Sequence, residues 1–167
     1  KAPAYVGRAK AVKADEEIRR ETGTLPEKVL KDVELLSVRD DTIYGSVVVA
    51  VKPGDGSARE QAASCQRVLG GIANIAKEYA TKRYRSNLIN WGMLPLLTKE
   101  DDKALSFKND DYIFIPDVRD AVAEKADVIK AYVVGDELKE VEFYLGDLTD
   151  AEREIILKGC LINYYRG

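Results

Sequence analysis

Apolar and polar positions along the chain follow both helix-like and strand-like patterns. Residues 10–21 are mostly polar and predict a surface helix that ends at Gly23. The run from Ile43 to Val51 is almost unbroken apolar and rich in β-branched residues, which predicts a strand buried on both faces. A helix is predicted from Ser57 to about Leu69. Its inner face is predicted from a 4-3-4 spacing to carry Ala58, Ala62, Cys65 and Leu69.

The rest of the chain predicts a similar mixture of elements. We expect short helices or strands at 26–32 (helix), 33–38 (strand), 72–76 (strand), 79–90 (helix), 112–115 (strand) and 117–126 (helix). A hairpin is expected over 128–145 around Gly135-Asp136, and a last helix from Thr149, where Glu152 completes a capping box. This order predicts a mixed α/β fold. No repeat or linker divides residues 1–167, so we expect a single domain.

Composition removes several kinds of chemistry. The chain has 167 residues, no histidine and two cysteines, Cys65 and Cys160. Histidine bases and imidazole metal ligands are therefore excluded, and two thiolates are too few for an iron–sulfur cluster. The net charge of −3 gives no overall attraction to nucleic acid or to an anionic membrane. No apolar run approaches the roughly 20 residues that a membrane span needs, and two separated cysteines favour a reducing cytoplasm.

The strongest candidate site is the run Gly54-Asp55-Gly56-Ser57-Ala58-Arg59-Glu60, between a predicted strand and a helix start. Two glycines allow a sharp turn and a close backbone approach to a ligand. The helix start offers unpaired N–H groups, and an arginine there can bind a carboxylate through two hydrogen bonds. A structural interpretation competes with this one, because Ser57 and Glu60 also form a capping-box pattern. The local pattern alone favours the structural interpretation.

A second feature is the basic run from Lys82 to Leu88, which carries three positive charges on one predicted helix. Such runs are usually solvated helix faces. A more specific interpretation is a set of anion contacts facing the glycine run. Interleaved arginine and tyrosine also suggest RNA binding, but the acidic remainder of the chain argues against nucleic acid.

Three runs occur in a fixed order along the chain. They are Gly54-Asp55-Gly56-Ser57-Ala58-Arg59-Glu60-Gln61-Ala62, Leu69-Gly70-Gly71-Ile72-Ala73, and Asn87-Leu88-Ile89-Asn90-Trp91-Gly92-Met93-Leu94-Pro95-Leu96. Together they resemble the swivelling C-terminal domain of the aconitase superfamily. Its members carry a Gly-x-Gly-Ser-Ser-Arg-Glu-His-Ala run, then a short Gly-Gly strand and an Asn-Leu-x-x-x-Gly-Leu-Leu-Pro-Leu pattern. The resemblance is close over 45–97 and weak before 40, and residues 148–164 also look like the tail of these hydratases.

The resemblance implies a three-layer β/β/α swivelling domain with a mixed, partly parallel sheet. It also implies a hydratase that removes and re-adds water across a polycarboxylate, with a 4Fe–4S cluster as the Lewis acid. Ser57 would be the catalytic base, and Gly56, Ala58, Arg59 and Lys82 would contact the substrate. This chain would bind no metal itself. The cluster would lie on other domains of the same polypeptide, from which this domain would be excised, or on a large subunit.

Several positions depart from the family pattern. Ala58 replaces a serine, Gln61 replaces a histidine, and Lys82 stands where an arginine is usual. The family's upstream arginine has no clear counterpart, and Arg8 is only a weak candidate. These departures suggest a substrate other than citrate. Two alternatives remain open, namely a stand-alone small subunit of an isopropylmalate-isomerase-like enzyme and a non-catalytic RNA-binding or degenerate module.

Overall fold

The computed structural model describes residues 3–36, 38–101, 105, 107–135 and 137–167. Seven helices lie in these ranges, namely α1 Pro3–Thr22, α2 Glu27–Asp32, α3 Arg59–Val68, α4 Lys82–Asn90, α5 Val118–Ala123, α6 Asp150–Leu157 and α7 Leu161–Arg166. The strands in the same ranges are β1 Ser46–Ala50, β2 Gly71–Ala76, β3 Leu94–Leu97, β4 Tyr112–Phe114, β5 Ile129–Val134 and β6 Leu138–Phe143.

The strands form two three-stranded sheets that are joined by a β-bridge. The order β1-β2-β3 is parallel throughout, and the order β4-β5-β6 is antiparallel. An antiparallel bridge between Leu97 and Tyr144 joins β3 to the end of β6, with N···O distances of 2.7 and 2.9 Å. The strands therefore run in the spatial order β1-β2-β3-β6-β5-β4, with β1 and β4 at the two ends. The predicted mixed α/β fold with a partly parallel sheet is confirmed.

The main hydrophobic core lies where the two sheets and helices α5 and α6 meet. Its fully buried members include Leu96, Phe143 and Leu145, each at most 1% exposed. A smaller cluster joins α3 to α4 through Ala63, Tyr84, Leu88 and Met93. Packing in this second cluster holds α3 and α4 together beside the glycine run.

Most predicted elements are present, with bounds that differ by a few residues except at α1. The hairpin forms as β5 and β6, although Asp136 lies outside the described residues. The Thr149–Glu152 capping box is confirmed in both directions. The sequence pattern predicts no strand at β3, because Leu94–Leu97 is a run of only four residues that contains Pro95. Helix α1 begins at Pro3 instead of residue 10.

Several predictions are wrong. The strand over Ile43–Val51 is not buried on both faces, because β1 lies at one end of the described sheet and Val49 is 40% exposed. Residues 33–36 form a turn and not a strand, closed by local bonds such as Leu36 N to Val33 O at 2.9 Å; Ser37, inside the predicted strand, lies outside the described residues. The inner face of α3 carries Ala63 and Gln66. The predicted face is turned outward, since its members are exposed or half-buried: Ala58, Ala62, Cys65 and Leu69. The polar Gln66 can be buried because Ala73 O and Asn74 Oδ1 accept hydrogen bonds from its amide.

Candidate functional site

The glycine loop, residues 53–58 between β1 and α3, is held against the start of α4. Gly54 O accepts hydrogen bonds from Arg59 Nε at 3.1 Å and from Thr81 Oγ1 at 3.2 Å. Gly54 has a φ of +99°, and a Cβ there would lie 2.5 Å from the Tyr84 side chain. Only glycine fits such a position, because the left-handed backbone and the close side chain both exclude a Cβ. The loop conformation is therefore fixed by contacts from two helices.

The start of α3 is capped from the neighbouring helix and not by Ser57. The Asn87 amide is oriented so that its oxygen faces a donor and its nitrogen faces acceptors. In this orientation the oxygen accepts a hydrogen bond from Glu60 N at 2.9 Å. Its nitrogen then donates to Glu60 Oε2 at 3.1 Å, and Trp91 Nε1 donates to Glu60 Oε1 at 2.6 Å. The residue before α3 is Ala58, which provides no side-chain cap. The Ser57–Glu60 capping box is therefore wrong: the Glu60 carboxylate is held by α4.

The Ser57 side chain is left available by this arrangement. It is exposed, and its hydroxyl makes no hydrogen bond to any of the described residues. A Cβ at the neighbouring Gly56 would meet nothing within 4 Å, so the chain leaves open space there. A hydroxyl at the opening of a ten-residue helix, unused by the fold, can act on a molecule from outside.

A buried polar chain supports the loop from below. Asn74, fully buried in β2, donates from Nδ2 to Tyr84 Oη at 3.0 Å and accepts from Gln66. Tyr79 Oη donates to Leu96 O at 3.0 Å. Burial raises the pKa of Tyr79, and burial also raises the pKa of Tyr84 despite the hydrogen bond from Asn74. Both phenols therefore stay protonated near neutral pH, and the network is neutral.

Positive charge gathers on one side of the loop. Lys82 and Arg83 are exposed in the first turn of α4, and neither side chain has an ion pair among the described residues. Arg85 serves the fold instead, since its Nη2 donates to Leu145 O at 2.8 Å and Asp147 O at 3.0 Å. Arg59 uses only Nε within the described chain, which leaves its two terminal nitrogens for an anion.

Other candidates lie elsewhere. Arg8, the weak nominee for a second carboxylate contact, pairs with Asp110 at 3.3 Å, on the loop before β4. Among the described ranges, no group of three or more His, Cys, Asp or Glu side chains could hold a metal ion. Cys65 is exposed on α3 and Cys160 precedes α7, so the residues of this chain do not fit an iron–sulfur cluster. None of the helices in the part of the chain described is long and apolar enough to cross a membrane.

Comparison with known proteins identifies the family. Residues 11–101 match the aconitase C-terminal domain, which is more than half of the chain. This protein therefore belongs to the aconitase C-terminal domain family. A solved structure, 3-isopropylmalate dehydratase from Methanocaldococcus jannaschii, is similar at a TM-score of 0.54 and 32% identity. The alignment covers 73% of this chain and 64% of that one. No curated protein sequence matches this chain.

The structure brings together most residues singled out in the sequence. Ser57 and Arg59 flank the start of α3, and Lys82 opens α4, which contacts the same loop through Thr81. The supporting residues Asn87, Thr81 and Asn74 were not identified as part of the site. Thr81 is the residue before α4, and its side chain accepts a hydrogen bond from Tyr84 N. A threonine just before a helix is a capping pattern that the sequence shows. The Asn74–Gln66 pairing across eight positions has no local signal, because it depends on how α3 packs on β2.

Proposed function

We propose that this chain is the lid domain of an aconitase-like hydro-lyase that acts on a polycarboxylic acid. Ser57 would be the base, and Arg59 would bind a substrate carboxylate. The observation that carries the proposal is the Ser57 hydroxyl, which no group of the described fold uses, at the opening of a helix beside a partly available arginine. Family membership alone would suggest the class of enzyme. The unengaged hydroxyl supports a working site instead of a structural cap.

A serine base must lose a proton that it normally keeps far above neutral pH. Positive potential stabilises the resulting alkoxide. Two sources lie in this chain, namely the N-terminal end of α3 and the Arg59 guanidinium. Glu60 does not oppose them freely, because Trp91 and Asn87 hold its carboxylate on the α4 side. In its alkoxide form Ser57 would take the proton next to a substrate carboxylate.

The substrate contacts would come from backbone and side chains together. Gly56 allows a close approach because nothing in the described chain lies within 4 Å of the space that its missing Cβ would occupy. Arg59 and Lys82 would bind carboxylates, and the backbone at Ala58 lies at the helix opening. Ala58 has no hydroxyl to offer a substrate, which is consistent with a substrate other than citrate.

The chain would supply only part of the active site. The family's 4Fe–4S cluster, which polarises the substrate in related enzymes, does not fit the cysteines of this chain. We place any such cluster on other domains of the same polypeptide, or on a separate large subunit in a cytoplasmic enzyme. The roles proposed for Ser57 and Arg59 concern proton removal and substrate binding, and closing the lid would exclude water from them.

Replacing Ser57 by alanine in the complete enzyme tests the proposal. Because the hydroxyl has no partner in the described fold, Ser57→Ala should leave the melting temperature unchanged. Turnover should fall by about a hundredfold or more, the usual contribution of a general base. The matched control is Ser64→Ala on the same helix, where Oγ donates to Gln61 O at 3.2 Å, and it should retain turnover. Normal turnover in Ser57→Ala would exclude the catalytic role.

A stand-alone small subunit remains a second candidate, and the 32% identity to 3-isopropylmalate dehydratase is compatible with it. Both versions use the same residues, so the Ser57 test does not separate them. The mass of the polypeptide in the source cells does. A mass near 18.6 kDa would indicate a separate subunit, and a larger one a domain of a longer enzyme.

A further inference from the structure

The start of α3 is bonded by two side chains that lie one helical turn apart on the α4 side. Trp91 Nε1 donates to Glu60 Oε1 at 2.6 Å. The Asn87 amide nitrogen donates to Glu60 Oε2 at 3.1 Å, and its oxygen accepts from Glu60 N at 2.9 Å. Glu60 is exposed, and holding an exposed carboxylate in one place costs side-chain entropy. Both of its oxygens and its backbone N–H nevertheless have partners on the α4 side.

The sequence also offers Glu60 a second set of partners. In a capping box, the Ser57 hydroxyl would accept from Glu60 N, and the Glu60 carboxylate would accept from Ser57 N. Thr149 and Glu152 form this box at the start of α6, where Thr149 N donates to Glu152 Oε2 at 2.9 Å. Within the described residues, Glu152 has no side-chain partner from another helix. The same spacing therefore closes into a box at α6, where no neighbouring helix competes for the glutamate.

One backbone rotation separates the two arrangements at α3. The box requires the helix to begin at Ala58 instead of Arg59. Ala58 has a φ of −88°, already at the edge of the helical region, and a ψ of 52°. Its ψ would have to move to the helical value of about −42°. Alanine has the highest intrinsic helix propensity, which favours the extra helical residue. The observed start of α3 is thus one residue short of the box and is held there by its partners on α4.

The box would occupy the groups that the proposed function uses. The backbone N–H groups of Ser57, Ala58 and Arg59 make no hydrogen bond to any described residue, which leaves them for a substrate carboxylate. In the box, the Glu60 carboxylate would bond the first of these groups and bring a negative charge to the helix opening. The Ser57 hydroxyl would at the same time be engaged by Glu60 N. A substrate carboxylate would then have to displace a carboxylate of the chain itself.

We propose that Asn87 and Trp91 are positioning residues that prevent this box and so keep the start of α3 open to a substrate carboxylate. The Asn87 oxygen takes the N–H that the Ser57 hydroxyl would cap, and Trp91 together with the Asn87 nitrogen holds the Glu60 carboxylate on the α4 side. Neither residue has to contact the substrate for this role. The proposal rests on the proposed function, because it concerns access to the same site.

Crystal structures of the complete enzyme with and without the double substitution Asn87→Ala and Trp91→Phe test the proposal. The phenylalanine keeps an aromatic ring and removes the N–H donor. In the double variant, Ser57 Oγ should accept from Glu60 N, and Ser57 N should donate to the Glu60 carboxylate, as at Thr149 and Glu152. If the double variant does not fold, Trp91→Phe alone should still release one carboxylate oxygen from the α4 side. A Ser57 that stays without partners in the variant that folds would overturn the proposal.

Binding of tricarballylate, an unreactive tricarboxylate, measures the consequence by calorimetry. The complete enzyme with the double substitution should bind it about tenfold more weakly, because only the fraction of molecules without the box can accept a carboxylate. Adding Glu60→Ala should restore the affinity, which would not follow from simple damage to α4. The control Asn90→Ala, on the same helix, should bind normally, because that side chain has no hydrogen bond within the described residues.

An unchanged affinity in the double variant, or a weak affinity that Glu60→Ala does not restore, would overturn the proposal. Neither measurement uses turnover, whereas turnover of Ser57→Ala decides the catalytic role, so the two proposals can fail separately.

Discussion

The glycine-loop corner, formed by residues 53–58 with α3 and α4, and the region between α1 and β1 are built in opposite ways. In the corner, each buried polar group has a defined partner, as in the Asn74–Tyr84 and Asn87–Glu60 contacts. Between α1 and β1, the Tyr5 and Ser46 hydroxyls are buried without a hydrogen-bond partner among the described residues, and Val49 is 40% exposed. The polar side chains of the corner are therefore fixed by contacts within this chain, whereas the region between α1 and β1 is less completely packed.

The largest expected change in stability comes from a substitution in the glycine-loop corner. Gly54→Ala should destabilise the chain by about 3 kcal/mol or more, because the new Cβ overlaps Tyr84 and the backbone has a positive φ. Gly56→Ala, two residues away in open space, should change stability by no more than about 0.5 kcal/mol. Urea unfolding of the two variants checks this contrast. Equal stabilities would mean that the loop is not held by α4.

Gly56→Ala also sharpens the functional side of the comparison. Since its Cβ meets nothing in the chain itself, any loss of turnover in the complete enzyme would come from contact with substrate or with the closing partner.

An intermediate effect is expected at the attachment of α1. Burial alone would raise the pKa of Glu16, but hydrogen bonds from Arg19, Tyr44 N and Arg20 outweigh it and lower the pKa. A lowered pKa in the folded state stabilises the fold above the ordinary glutamate value of about 4.3, and this contribution is lost as the pH falls through and below it. Acid should therefore loosen α1 before it affects the neutral network around Asn74.

Exchange of α1 amides at decreasing pH measures this effect, after correction for intrinsic exchange rates. Glu16→Gln should destabilise the fold by about 1.5–3 kcal/mol at neutral pH, the range for hydrogen bonds to a charged group, and should flatten the acid response. The Glu16 side chain is 9% exposed, so solvent does not replace its partners easily. An unchanged acid response in Glu16→Gln would assign the effect to another carboxylate.

The smallest effect is expected at Ile43, which precedes β1. Ile43→Thr should change the stability of the chain by about 0.5 kcal/mol or less, because the isoleucine is 56% exposed. Thermal unfolding of the two forms provides the measurement. A large loss of stability would mean that other side chains cover this isoleucine.

The local sequence pattern predicted an element correctly where the bonds of that element join residues close in sequence. The capping box at Thr149 and Glu152 is closed within one helical turn, and the β5–β6 hairpin pairs residues near in sequence. The motif order also indicated the family. The predicted strand at 33–38 failed because a strand needs a neighbour to pair with, and residues 33–36 have only local turn bonds.

The sequence by itself determined the mixed α/β pattern, the placement of Ser57 and Arg59 at a helix start, and the absence of histidine chemistry. Only the tertiary structure decided which contacts the residues at the glycine loop make. It caps α3 with Asn87 from α4, which leaves Ser57 unused by the fold, and it turns Gln66 inward to meet Asn74. These contacts join residues from different elements, and a local pattern carries no information on which distant group satisfies a polar side chain. The positions of β1 and β4 at the two ends of the described strand order are likewise a property of the whole sheet.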